Sequence, residues 1–419
     1  MEFDEKLQTY AELIVSHGLN VQCGQVVNIS TEVIHRDLAL RIAKAAYQRG
    51  AKLVNIDFTD PRLARLRILE STATDLEYVP DCVSVKYRDL VDQQAANLKL
   101  IGSEEPDLLA DLDPKRVNTV RLHHHLAVKY FYDEGIGKSL VHWTVAAAAT
   151  PKWGQKVFPD LEATAAADRL WDEILRICRA DRPNCLALWR QHNATLARRA
   201  QRLNGLKIKT LHFEGPGTDL RVGLSPAAVF KGGSDTSPRK VEFEPNLPTE
   251  EVFTTPDWRG TEGTVRATRP FLVNGKLIEG LTLRFEHGKI VDFQATRGAE
   301  TFAEYTASDD GANRLGEVAL VGIDSPIYQS GLVFEEILFD ENAACHIAVG
   351  SAYKFCLAGG AQMTEKDFAA IGCNESTVHT DMMISSDQVD VTAETYTGAS
   401  IQLLAQGAWV DFGEGTVQK

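Results

Sequence analysis

The hydrophobic pattern changes character once along the chain, and that change restricts the fold more than any other feature. Up to Trp143, short apolar runs at Val26–Ile29, Leu53–Ile56, Leu98–Ile101 and Leu140–Trp143 alternate with stretches of helical spacing. One predicted helix, Arg36–Arg49, starts after the turn-prone Ser30 and Thr31 and stops at Gly50. Strands that alternate with helices in this way form an open, mostly parallel sheet. From Leu161 to Leu203 the chain reads as two long helices separated by Asp181, Arg182 and Pro183, a bridge between domains. Beyond it the pattern becomes strand, turn, strand: Leu206–Phe213, Leu220–Leu224, Thr282–Glu286 and Ile290–Phe293, with turns at Gly215-Pro216-Gly217 and His287-Gly288. The expectation is an α/β N-terminal domain with a mostly parallel sheet over residues 1–185. A β-rich α+β C-terminal domain follows over residues 186–419. A chain of 419 residues exceeds what one hydrophobic core usually covers, which agrees with two domains.

Composition removes several classes of function. With 44 Lys and Arg against 58 Asp and Glu and no basic run, the chain repels a nucleic-acid backbone, so no nucleic-acid partner is expected. The opening MEFDEKLQTYAELIV carries charge throughout and lacks the apolar stretch of a signal peptide. The mild stretch Trp143–Pro151 falls far short of the roughly 20 residues of a membrane helix. Seven cysteines, an odd count without a CxxC pair, fit reduced thiols in a cytoplasm and exclude a zinc knuckle. The βαβ stretches contain no GxGxxG or Walker sequence, so they do not imply a nucleotide.

Four short segments carry chemistry. In NLPTEEVFTTP, Glu250 and Glu251 lie among Pro, Thr and apolar residues; in extended backbone they point to opposite sides, although a solvated glutamate pair looks the same. In RLGEVALV, Glu317 opens a strongly apolar strand, where an ionised carboxylate is costly without a cation, or is paired with Arg314. In HIAVGSAY, His346 is either a satisfied core histidine or a ligand, and Gly350-Ser351 let the backbone turn before Tyr353. In HTDMM, His379 and Asp381 are two apart on a strand-like stretch and share one face, a donor set that zinc, cobalt or manganese accepts. The run His123-His124-His125 is read as structural, because three consecutive side chains cannot face one ion. His142 and Trp143 are read as core packing, with a place at a substrate entrance as the alternative.

In this order, and together with LQTYAELIVSHGLNVQCGQVVNI and TPKWGQKVFPD, the four segments resemble the M29 family of metallo-aminopeptidases over essentially the whole chain. The resemblance places metal ligands at Glu251, Glu317, His346, His379 and Asp381, with Tyr353 beside them. It implies two divalent ions per chain (zinc, cobalt or manganese) and release of N-terminal residues from short peptides with a free N-terminus. It also implies a homodimer whose N-terminal domains help enclose a chamber. Five ligands exceed the usual three of a lone catalytic zinc and suit two ions bridged by a carboxylate, for which Glu317 is the choice. A carboxylate beside a ligand in sequence is a candidate general base, which assigns that role to Glu250. Tyr353 is expected to donate to the developing oxyanion. Two rivals use the same scaffold: a single-iron ring-cleaving dioxygenase, which needs only two histidines and a carboxylate, and a catalytically silent metal-binding protein.

Overall fold

The computed structural model describes residues 1–411, and their contacts divide the chain into two compact units. Unit 1 comprises residues 1–191 and 234–248, and unit 2 comprises residues 192–233 and 249–419. The division falls at Gln191/His192, and the chain returns to unit 1 once more before entering the C-terminal unit for good.

Unit 1 is the expected α/β layer. Helix α1 (Phe3–Leu13), strand β1 (Val26–Glu32), helix α2 (Arg36–Gln48) and strands β2 (Leu53–Thr59), β3 (Ala96–Ile101) and β4 (His142–Ala147) follow in sequence, with helix α3 (Pro114–Tyr130) between the last two strands. The parallel sheet has the order β2-β1-β3-β4, and its far edge is completed by Asn246–Leu247, paired parallel to β4. Strand β4 starts two residues later than its apolar run. It extends into the alanine stretch because Ala146, Ala147 and Ala148 are fully buried, where small side chains fit against the covering helices. Leu140 instead packs, partly buried, against the cluster of Val26, Leu90, Val91, Ala95, Phe131 and Val141. Helix α4 (Ala163–Ile177) belongs to this unit, and helix α5 (Cys185–Leu206) carries the chain across the division.

Unit 2 is β-rich, as the strand and turn pattern requires. Its larger sheet is built from β5 (Ile208–Gly215), β6 (Thr218–Gly223), and the later strands of the unit. Its smaller sheet begins with β7 (Val252–Thr254). In chain order there follow β8 (Glu262–Arg266), β9 (Thr282–Glu286), β10 (Lys289–Gln294), β11 (Leu315–Leu320), β12 (His346–Gly350), β13 (His379–Met383), β14 (Asp390–Thr395), β15 (Ser400–Ala405) and β16 (Ala408–Trp409). The eight-stranded sheet has the order β10-β9-β8-β6-β5-β14-β15-β16, and the four-stranded sheet β7-β11-β12-β13 is antiparallel throughout. The β9–β10 hairpin turns through His287 and Gly288, both at positive φ, as a tight two-residue connection demands. One hydrophobic core joins Leu196, Ala200 and Leu203 of α5 to Leu211, Phe213, Leu220 and Val222 of the large sheet and Val318, Leu320, Ile347, Val349 and Met382 of the small one.

Candidate metal centre

Alternation along the small sheet separates packing from chemistry. Val252, Val318, Leu320, Ile347, Val349 and Met382 point into the core. The residues between them share the opposite face, because cross-strand partners in an antiparallel ladder lie on the same side. The register sets Glu317 opposite Ala348 and Ala348 opposite Asp381, and likewise Ala319 opposite His346 and Gly350 opposite His379. Glu251 precedes β7 on the parity of Phe253, which pairs with Ala319. Glutamate, histidine and aspartate from four sequence segments therefore meet on one face, and Ala319 and Ala348 leave room between them.

Two glycines make that convergence possible. The ladder between β11 and β12 shifts register between Leu315 and Glu317, so Gly316 sits in a bulge that re-aims the glutamate. A Cβ on Gly316 would lie 2.3 Å from the Ser351 carbonyl oxygen. Gly350, at φ +108°, lets β12 end against the backbone of Val378, whose carbonyl oxygen would be 2.0 Å from a Cβ there.

Among the described residues, two groups of three offer one ligand atom each, all within 4.8 Å of one another: Glu251, Glu317 and His346, and Glu317, His379 and Asp381. Glu317 belongs to both. His346 Nε2 lies 3.1 Å from Glu251 Oε2 and 4.0 Å from Glu317 Oε1, and His379 Nε2 lies 3.2 Å from Glu317 Oε2 and 3.5 Å from Asp381 Oδ1. The ring orientation of His379 is fixed from behind: Nδ1 donates to the Ser351 carbonyl at 2.8 Å. That bond leaves Nε2 with its lone pair aimed at two carboxylates in a neutral ring, an arrangement that requires a proton or a cation between them. Glu251 Oε2 and Asp381 Oδ1 are buried and accept no hydrogen bond, despite the nearby imidazoles. Acceptors and lone pairs that approach closely without bonding one another fit a shared cation.

The electrostatics agree. Burial opposes charge on His346 and His379, but the carboxylates around them outweigh it and hold both imidazoles well above their usual pKa. Burial first, and with it the charges of Asp381 and Glu251, pushes Glu317 up to about 7. Asp381 is held below the usual range despite its burial, because both histidines favour its charged form. In the absence of a cation this cage collects protons.

The structure adds one residue that the sequence reading missed. Glu341 is raised well above a normal carboxylate, first by burial and then by the charges of Asp381 and Glu251, which puts it within electrostatic reach of the same cluster. Its segment, Leu338–Asn342, contains Asp340, Glu341 and Asn342 in succession and reads as a polar turn; an acidic residue flanked by apolar Ile337–Phe339 and Ala343–Cys345 was the available signal. Glu250 lies outside both groups. Its side chain is buried, its N–H donates to Asn342 Oδ1 at 2.7 Å, and its Oε2 lies 3.4 Å from His192 Nε2. Tyr353 joins the cluster through its hydroxyl, 3.3 Å from His379 Nε2, and through ring contact with His379 at 5.0 Å. Burial first, and then the surrounding carboxylates, raise its pKa well above normal, so it is a neutral phenol with a proton to donate.

The competing placements resolve individually. Arg314 does not pair with Glu317; its guanidinium stacks over Trp258 at 4.2 Å. His123 lies on α3 and donates through Nδ1 to the Thr119 carbonyl, and the three consecutive histidines form no ligand group among the described residues. His142 is buried at the start of β4, donates to the Leu19 carbonyl at 2.9 Å and stacks on Phe243, as core packing requires.

Comparison with known proteins settles the family. The sequence model of the thermophilic metalloprotease family (M29) matches residues 3–409. The chain belongs to that family. Aminopeptidase 2 of Geobacillus stearothermophilus is 40% identical over 97% of this chain and 98% of its own length. Aminopeptidase T of Thermus thermophilus is 39% identical over 97% of this chain and 99% of its own. The solved structure of wild-type AmpT from Thermus thermophilus superimposes with a TM-score of 0.91 at 38% identity, covering 98% of this chain and 100% of that one. As an M29 protein the chain is a metallo-aminopeptidase, a hydrolase of the exopeptidase class. Among the described residues no helix is long and apolar enough to cross a membrane.

Proposed function

We propose that this M29 protein releases N-terminal residues from short peptides at a centre holding two divalent ions, zinc, cobalt or manganese. Glu251, Glu317 and His346 would hold one, and Glu317, His379 and Asp381 the other. The observation that carries the reading is that the two ligand groups share Glu317, as a bridging carboxylate must. Glu341, whose proton is held by burial and by the neighbouring carboxylates and would be displaced by a cation, is the natural further ligand. When bound, such ions polarise a scissile carbonyl and lower the pKa of water toward neutrality.

The remaining work falls to the protein. Glu250, adjacent to a ligand but outside both groups, is the general base that takes a proton from water and delivers it to the leaving amine. Tyr353, kept protonated by its surroundings, donates a hydrogen bond to the oxygen that gains charge as the peptide carbonyl becomes tetrahedral. A substrate with a free α-amino group suits a buried cluster rich in carboxylates, which attracts a terminal ammonium. The homodimer and the cytoplasmic location belong to the same reading. The dimer gains support from the large apolar side chains that unit 1 exposes, among them Leu63, Leu66, Leu122 and Leu126.

Metal analysis together with a panel of aminoacyl p-nitroanilides tests the reading: two ions per chain and hydrolysis of free-amino substrates, with no turnover of N-acetylated ones. One iron per chain with oxygen uptake would replace it with the dioxygenase reading, and no hydrolysis with any of the three metals would favour a silent metal-binding protein. Glu250→Gln should keep both ions and lower kcat by about 10²- to 10⁴-fold; unchanged turnover removes Glu250 from the chemistry.

A further inference from the structure

The peptide group between Thr249 and Glu250 is gripped at both ends by side chains distant in sequence. The Thr249 carbonyl accepts from His192 Nε2 at 2.8 Å, across 57 residues. The Glu250 N–H donates to Asn342 Oδ1 at 2.7 Å, across 92 residues. A carbonyl oxygen can only accept, so His192 Nε2 carries a hydrogen. The same nitrogen lies 3.4 Å from Glu250 Oε2, so one N–H faces both the carbonyl and the carboxylate. Asn342 is completely buried and held in turn: its Nδ2 donates to the Leu338 carbonyl at 3.1 Å and to Glu341 Oε1 at 3.3 Å, and its own carbonyl accepts from Ser325 Oγ at 2.6 Å. These bonds fix the Asn342 amide with Oδ1 toward Glu250. A glutamate whose preceding peptide is held at both its carbonyl and its N–H, and whose carboxylate faces a fixed donor, keeps few of its rotamers.

We propose that His192 is a positioning residue for Glu250. Its Nε2–H holds the Thr249 carbonyl and one carboxylate oxygen of Glu250, which sets the rotamer of that side chain and assigns proton transfer to the other oxygen. The clamp acts on the peptide that leads into Glu250, one residue before the candidate ligand Glu251. The proposal rests on the reading of Glu250 as the general base.

The test combines His192→Ala, His192→Gln and Glu250→Gln, singly and as double variants, in the metal-loaded enzyme. His192→Ala should lower kcat by about 10- to 100-fold, the usual cost of losing an orienting partner, with KM and metal content unchanged. His192→Gln, which can still present an N–H to the Thr249 carbonyl, should recover most of the loss. In the Glu250→Gln background, His192→Ala should have no further effect on kcat, because the residue it positions is already disabled. A readout independent of activity is the ¹⁵N spectrum of histidine-labelled protein, where His192 should be protonated at Nε2 with and without metal. An equal loss in both backgrounds, or a His192 protonated only at Nδ1, overturns the proposal. If Glu250→Gln is inactive while His192→Ala turns over like the wild type, the His192 proposal alone fails. If Glu250→Gln turns over normally, the base assignment fails and takes the proposal with it. Where the double variant is too slow to measure, the split between kcat and KM in His192→Ala and the tautomer decide.

Discussion

Both units enclose histidines, and the contrast between them separates a core histidine from a candidate metal ligand. In unit 1, His35 bonds the Gly102 carbonyl and His142 bonds the Leu19 carbonyl and the Ser237 hydroxyl. Burial lowers both pKa values, and their partners only partly resist. His17, its ring tilted against Trp189, is pushed down to about 4 by burial and then by the charge of Arg190. In unit 2, His346 is buried and His379 half-buried, but their Nε2 atoms face carboxylates and their pKa values rise. Burial alone therefore does not mark a functional histidine. What marks it is burial beside more negative charge than the imidazoles can neutralise, a state that costs too much to keep without a cation.

The contrast can be broken most directly at the shared carboxylate. Glu317→Gln should reduce bound metal below two ions per chain and lower kcat/KM by on the order of 10³-fold or more, measured by metal analysis and steady-state kinetics; full occupancy with normal turnover would sink the bridging role. A smaller effect should appear in metal binding. Because His346, His379 and Glu317 hold protons more tightly than usual, loading the metal-free protein near pH 7 should release protons, and affinity should fall as pH drops. Calorimetry in buffers of different ionisation enthalpy reads this directly, and absence of proton release contradicts the electrostatics of the cage. The smallest effect belongs to unit 1. The folded pKa of His17 lies below its unfolded value, so between about pH 6.5 and 4 the unfolded chain binds more protons than the folded one. The stability this residue contributes is complete above that window and is lost as pH falls through it. His17→Asn should flatten the decline by up to about one proton's worth of slope, seen in denaturant unfolding as a function of pH; an unchanged slope would show that His17 does not titrate differently on folding.

Much of this was legible in the primary structure, for definable reasons. Strand and helix alternation up to Trp143, and strand–turn–strand thereafter, follow from side-chain periodicity, which local geometry enforces. The spacing of His379 and Asp381 on one strand face, and the cost of Glu317 in an apolar run, likewise need no knowledge of the fold. Glu341 was not legible, because Asp340, Glu341 and Asn342 look like an exposed polar turn until burial is known. Burial raises Asp340, too, up to about 7, yet its oxygens accept from the Phe334 and Glu336 amides and serve the local turn. Neighbouring acids therefore have different uses that composition cannot distinguish.

The sequence by itself determined the types of element, the change from α/β to β-rich character and the four segments that supply the candidate metal ligands, because each depends on contacts or preferences within a few residues. Only the tertiary structure decided which side chains share one face, where the bulge at Gly316 aims Glu317, and that His192 and Asn342 clamp the Thr249–Glu250 peptide. It also returned residues 234–248 to unit 1, through the pairing of Asn246–Leu247 with β4. Those outcomes depend on strand register and on contacts across tens of residues, and no local preference encodes which distant partner satisfies a given donor or carries a given charge.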